Sequence, residues 1–403
     1  MGSINRVIEK NLCTGCGLCA SLFSEKVKID YESAFNRPVL DSTLDKVEEQ
    51  SFKHICPGMN QNAPKKLSGF NQHTIWGNYS SSSLGHSNND DIRYRASSGG
   101  ILSQSAIYLL EAGLVDGVIH IKASKKEPLL NQVTISFSPS EVLDGAGSRY
   151  SPASPLAELL QTIQQNPYKK FCFIGKPCDV TALRNLIALK PDIGTSIPYL
   201  LSFFCAGTPS REGVDKVLQK LNVKPHDIIK FDFRGNGWPG KTIAETHKTK
   251  KEMSYGDSWG NILGPTIQQR CKICADGIGE NADLVSADVW HSDVDGYPLF
   301  DESDGEGLIL PRTNTGRDLV SEMVAKNIIS MKPYDLDDLK GVQPTQFERK
   351  GSFYARALAK LVVQRTIPCF GGQRTLRAAL KVGIKKNVRS FVGSFLRARH
   401  GKI

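Results

Sequence analysis

Phe171-Cys172-Phe173-Ile174-Gly175-Lys176-Pro177-Cys178-Asp179 is the stretch on which the reading of this chain turns. Four apolar residues in a row, stopped by Gly-Lys-Pro, read as a short strand buried on both faces. The proline then opens a helix running to about Leu189, because its fixed φ suits the first helical position. The same grammar returns at Tyr199 to Phe204, which ends in Cys205-Ala206-Gly207 and is followed by a helix from about Ser210 to Leu221. Upstream, Ser97-Ser98-Gly99-Gly100 opens an apolar helical run, Ile101 to Ala112, closed by Gly113, and Val115 to Ile121 reads as a strand. Strands alternating with helices predict an α/β core with a partly parallel sheet, placed here over 91–345.

Outward from that core the texture changes. The polar stretch Asn78 to Asp90 reads as part of a linker over 76–90. Residues 1–75 hold four cysteines and little apolar periodicity, so they need a staple to fold, here a metal cluster. A chain of 403 residues predicts two or three domains. It has no run of about 18 apolar residues to span a bilayer, and its first residues, MGSINRVIEKNL, contain no secretory apolar segment. A cytoplasmic location follows as the expectation, and there ten cysteines read as metal ligands or catalytic thiols, not disulfides. The net charge of +10 is not spread evenly. Arg349 to Ile403 carries 14 Lys and Arg and no Asp or Glu, leaving the first 348 residues at about −4. A basic tail on a mildly acidic body disfavours nucleic-acid binding by the body.

Cys13-Thr14-Gly15-Cys16-Gly17-Leu18-Cys19 sets three thiols at consecutive two-residue gaps on a glycine-containing loop. This spacing wraps three corners of a cubane, with the fourth ligand from a distant Cys-Pro, here Cys56-Pro57. Two-cluster ferredoxins place another Cys-Pro after three further residues; this chain has Phe23-Ser24 there, so one cluster fits. Zinc is the competing reading, but zinc ribbons use two separated pairs. Cys178, Cys205, Cys271 and Cys274 form a second set. Cys271-Lys272-Ile273-Cys274 alone suits a redox dithiol, zinc or a cluster. Cys178 and Cys205 each follow a strand, at the sheet edge where ligands gather, so the four converging on a second cluster is one reading among these. Cys172, inside a strand, and Cys369, in the tail, read as ordinary thiols.

Taken in order, these motifs resemble the β-subunits of hydrogenases and dehydrogenases that use a deazaflavin coenzyme (coenzyme F420), a family with relatives such as 7-hydroxymethyl chlorophyll a reductase. The resemblance rests on the CTGCGLC run, Arg95 to Gly100, Gly147 to Tyr150, Gly175 to Cys178, Phe204 to Thr208, Phe233 to Gly240, Cys271 to Gly277, Ala282 to Trp290 and Arg312 to Gly316. It spans residues 11 to about 320 and leaves out the tail. It implies two [4Fe–4S] clusters, on Cys13/Cys16/Cys19/Cys56 and Cys178/Cys205/Cys271/Cys274, with FAD beside the second, and a ferredoxin-like domain as electron port. The expected activity is electron transfer between a ferredoxin or similar carrier and a small-molecule or lipid-linked substrate, in either direction. The alternative is a β-type electron-transfer subunit inside a larger complex without its own substrate; many relatives look like parts of surface-polysaccharide gene clusters.

Ser97, Ser98, Gly99 and Gly100 are the candidate phosphate contacts, since a helix N-terminus offers free N–H groups; a plain helix cap followed by glycines is the other reading. Lys176 is a candidate for a cation beside the flavin ring, or a solvated lysine. Arg234 and Trp238 lie in the Gly-rich Arg-Gly-Asn-Gly-Trp-Pro-Gly stretch, which suits a loop approaching a cofactor or a surface turn. Asp288, Trp290 and His291 are placed on the substrate side, His291 as proton donor, although a lone histidine is commonly structural. In the tail, Leu376, Leu380, Ile384, Val388, Phe391 and Phe395 recur at helical spacing with Arg377, Lys381, Lys385 and Arg389 one residue behind. This basic amphipathic pattern points either to peripheral contact with the inner membrane surface or to a helix packed on the body.

Overall fold

The computed structural model describes residues 2–290, 299 and 301–401. An eight-stranded sheet forms its centre, from β1 (Ser83–Ser87), β2 (Gly117–Ala123), β3 (Asn131–Ser136), β4 (Phe171–Gly175), β5 (Tyr199–Phe203), β6 (Leu284–Asp288), β7 (Gly307–Pro311) and β8 (Ile329–Pro333). The strand order is β8-β1-β7-β6-β5-β4-β2-β3. The inner run β2-β4-β5-β6 is parallel, and antiparallel pairs complete both flanks.

The apolar run that identified β4 is buried because both faces of the sheet are covered. Phe171 and Phe173 pack with Val180, Leu183 and Leu186 of α2 (Pro177–Leu189). Cys172, one residue out of phase, joins the opposite layer with Ile101, Ile107 and Leu109 of α1 (Ile101–Glu111) and Leu319, Val320 and Met323 of α4 (Asn314–Ala325). The two-residue alternation of a strand assigns each side chain to its layer. A smaller antiparallel sheet, Ile228–Asp232, Thr242–Thr246 and Lys250–Met253, packs on α3 (Arg211–Leu221) and carries the Arg234 loop.

Three segments depart from expectation. Residues 76–90 are not a linker: Ser83 to Ser87 form β1, paired on both sides, because Leu84 and Gly85 fit between β7 and β8. A Cβ at Gly85 would stand 2.9 Å from the Ile309 and Met331 side chains. Serine-rich polarity concealed a strand whose contacts lie some 220 residues or more away along the chain. Residues 1–75 likewise share the main core, with Leu18, Ile55 and Ile75 clustered with Phe171. The tail forms α5 (Pro344–Gly351), α6 (Phe353–Gln364), α7 (Thr375–Val382) and α8 (Ile384–Arg399). The expected single amphipathic helix is broken at Gly383, whose φ of 89° ends α7.

Candidate functional site

Parallel register brings the ends of β4, β5 and β6 together, with Gly175 opposite Ser202 and Phe203 opposite Ser286. Beyond this carboxyl edge, where open α/β sheets bind ligands, lies a cavity of about 830 Å³. Lys176, Cys205, Arg234, Asp288 and Trp290 are on its walls, together with Ser97 and Ser98. Its size falls within the roughly 300–1,000 Å³ of cofactor and ligand pockets.

Asp288, the last residue of β6, organises one wall. Its carboxylate takes both Arg234 guanidinium nitrogens at 2.7 Å, the Ser98 hydroxyl at 2.8 Å and the Trp238 indole N–H at 3.1 Å. Burial pushes this carboxyl up, but Arg234 and the hydrogen bonds outweigh it and hold it below the usual carboxylate range. The Arg234 Nε donates to the Pro239 carbonyl at 2.6 Å. The same guanidinium lies 4.8 Å from the Trp290 ring centre and 5.0 Å from that of Tyr255, while Trp238 stacks on Trp290 at 4.9 Å. The Gly-rich stretch is therefore no surface turn: Trp238 is 2% exposed.

Ser98, Gly99 and Gly100 all adopt positive φ, 54°, 68° and 77°, immediately before α1. A Cβ on Gly99 would come within 2.9 Å of the Gly85 carbonyl, so the loop is held tight against β1. The first N–H groups of α1 have no partner inside the helix. The Ser286 hydroxyl, also on the cavity wall, is buried and has no hydrogen-bond partner among the described residues. Such donors fit an anionic phosphate group, whereas the missing Cβ atoms open no room for one: on Gly99 and Gly100 they would meet the Gly85 carbonyl and Ile92.

Lys176 caps α2 and pairs with Asp179 Oδ2 at 2.7 Å. Burial opposes the charged ammonium, but Asp179 overcomes it and keeps Lys176 protonated. With Asp288 paired to Arg234, two of the three carboxylates that the described residues place on the cavity walls are neutralised, leaving Asp257.

Behind this wall the thiols gather in two neighbouring sets. Cys13, Cys16, Cys19 and Cys56 line a small enclosure with Val7, Phe52 and Ile55. Burial, then the Asp179 carboxylate, pushes Cys16 up to about 12. Burial and the other three thiols raise Cys19. In the second set, burial and Cys271 push Cys205 up to about 12 against Arg349 and Lys176. Cys178, raised by burial and Asp179, also lies within the electrostatic reach of Cys205 and Cys271. The two sets adjoin: Ile273 packs in the same cluster as Cys13, and Arg270 donates to the Pro57 carbonyl at 3.2 Å. Among the described residues, no three His, Cys, Asp or Glu side chains are arranged for a single metal ion. The donor chemistry suits thiolate-ligated clusters, because buried thiols that repel one another's charge lose that penalty once a cation binds them.

His291 lies outside the described residues. Cys172 is buried in the core and Cys369 is exposed beside Asn62. Sequence reasoning passed over Asp179, although its place three residues after Lys176 carries the signal of a helix-capping acid. It also missed Gln346 and Arg349, which donate to the Cys205 carbonyl at 3.0 Å each, and Arg356, which donates to that of Lys272 at 3.0 Å. No local signal marks these, since they come from α5 and α6.

Known proteins resemble this chain in sequence and in fold. The family model for the carboxyl-terminal part of the coenzyme F420 hydrogenase/dehydrogenase beta subunit matches residues 168–337, and the model for the amino-terminal part matches 83–161. The chain belongs to the coenzyme F420 hydrogenase/dehydrogenase beta-subunit family. Its relatives in this family of redox enzyme subunits include the coenzyme F420 hydrogenase subunit beta of Methanococcus voltae, 26% identical over 66% of this chain and 88% of the relative. The chloroplastic 7-hydroxymethyl chlorophyll a reductase of Oryza sativa is 26% identical over 55% of this chain and 45% of its own length. A chain of the F420-reducing [NiFe] hydrogenase complex from Methanosarcina barkeri shares the fold, with a TM-score of 0.54 at 20% identity, over 73% of this chain and 96% of that one. The matched region holds all eight strands and most of the cavity wall, while Val342 to Gln346 of that wall, Cys13 to Cys56 and the tail fall outside it.

Proposed function

We propose that this chain is an iron–sulfur flavoprotein oxidoreductase, holding two [4Fe–4S] clusters and FAD, that moves electrons between a ferredoxin-like carrier and a small-molecule or lipid-linked substrate. The adjacency supports the reading: eight thiols in two neighbouring sets whose flanking residues pack together, the second set reaching the cavity wall at Cys205. When bound, clusters handle single electrons and a flavin one or two, which together join a one-electron carrier to a two-electron substrate. Cys13, Cys16, Cys19 and Cys56 would hold one cluster, and Cys178, Cys205, Cys271 and Cys274 the other. Ser97, Ser98, Gly99 and Gly100 would receive a pyrophosphate, with Lys176 as a fixed cation at the wall. Arg234 and Trp238 would shape the site through Asp288, and Trp290 would close it. The proton donor assigned to His291 stays an expectation from sequence.

Anaerobic purification with iron, sulfide and released-flavin assays tests this. About eight iron atoms, four per cubane, and one FAD per chain are expected; C16S and C205S should each lose about half the iron. Zinc without flavin would overturn the reading. A second reading, an electron-transfer subunit of a larger complex, draws on the 88% coverage of a hydrogenase subunit. A stoichiometric partner on affinity purification, with no turnover by the isolated chain, would favour it.

A further inference from the structure

The tail is anchored to the body, and the anchoring leaves a surface of α7 and α8 that no described residue covers. Glu280, buried beneath α5 and α7, pairs with both Lys350 and Arg374. α6 and α8 lie along each other, and Phe353 packs edge-on against Phe370 at 4.5 Å. Held this way, α7 and α8 turn Leu376, Leu380, Ile384, Val388, Val392 and Leu396 outward, each between 49% and 81% exposed. The spacing of four residues makes this a row on each helix. It differs from the face read in the sequence: Phe391 and Phe395 stack on each other 6.2 Å apart, half-buried, while Val392 and Leu396 take the outer positions. Alongside the row stand Arg377, Lys381, Lys385 and Arg389, all exposed and, among the described residues, in no salt bridge. No Asp or Glu occurs from Arg349 to Ile403.

We infer that this face docks the protein on an anionic lipid bilayer, the aliphatic row entering the boundary between headgroups and acyl chains while the cations lie against lipid phosphates. Charge complementarity selects the occupant. Among the described residues Glu348 engages Lys386 alone, so the row of four unpaired cations calls for an anionic surface, and large aliphatics beside it call for an apolar layer; an anionic bilayer offers both at the same depth. A nucleic acid satisfies only the cations. A second copy docked through the same face would set one basic row against another, since a two-fold interface meets itself. None of the described helices is long and apolar enough to cross a membrane, so the contact is peripheral. The inference stands apart from the cofactor assignment.

Co-sedimentation of the full-length protein with vesicles of phosphatidylcholine alone, and of equimolar phosphatidylcholine and phosphatidylglycerol, tests it. Binding to the anionic vesicles only, weakened by salt, is expected. K381Q/K385Q should lower partitioning about 25-fold, from about fivefold per cation. L380E/I384E should abolish it with the far-ultraviolet circular dichroism unchanged, both side chains being exposed. Absence of pelleting with anionic vesicles at low salt would overturn the inference, as would variants that pellet like the parent. Duplex DNA binding without vesicle binding, or a dimer in sedimentation velocity that L380E/I384E dissolves, would overturn it too.

Discussion

At the scale of single residues, Asp288 and Arg234 depend on each other, because the Arg234 side chain is only 3% exposed and loses its counter-charge if Asp288 is neutralised. Removing one partner from a buried pair costs about 3–5 kcal/mol. D288N is therefore expected to lower the thermal midpoint strongly and to co-purify with less flavin than the parent. Parent-like melting would show that Arg234 finds its compensation elsewhere. His120 offers a pH-dependent counterpart on another wall of the cavity. Its ring bonds the Ser136 hydroxyl at 2.8 Å, and burial lowers its pKa from 6.5 to about 4. Below pH 6.5 the unfolded chain gains a proton that the folded chain refuses. The stability this residue contributes is complete above that pH and is lost as pH falls toward 4, a change of about 3 kcal/mol. Between pH 7.5 and 5.5 the parent should lose more thermal stability than H120N. Equal losses would assign the acid sensitivity to other groups.

At the scale of elements, α5 and α7 owe their seat to Glu280, which follows the Cys271–Cys274 loop and stays ionised: burial raises its carboxyl, but Lys350 and Arg374 bring it below its ordinary range. E280Q leaves two buried cations facing a neutral amide. Opening of the tail should rise about a hundredfold or more, from the same 3–5 kcal/mol. Limited proteolysis would report it as faster cleavage after residue 350; unchanged cleavage would place the anchoring in the Phe353–Phe370 contact. Six elements between Ile101 and Leu221 were legible, with boundaries matching to within two residues at α1, β2, β4, α2, β5 and α3, while β3 was not read. Each of those elements carries its own signal in an apolar run, a proline at a first turn or a closing glycine. β1 was not legible, because Ser83 and Gly85 carry no strand propensity and their pairing with β7 and β8 supplies all of it.

Across the whole molecule, the sequence by itself determined the α/β class, the family and the close spacing of Cys13, Cys16 and Cys19. These rest on short-range chemistry: residue type at fixed spacing decides whether a loop can wrap a cluster or a run can form a buried strand. Tertiary structure alone decided which groups share a wall. Asp288 meets Ser98, Arg234 and Trp238 across 50 to 190 residues of chain. Gln346 and Arg349 reach Cys205 from about 140 residues away. The outward row on α8 differs from the periodic one because packing against α6, not helical periodicity alone, chooses which side is covered. Such contacts depend on the register of parallel strands and on helix packing, which are collective properties of the folded core, and no local pattern in the chain encodes them.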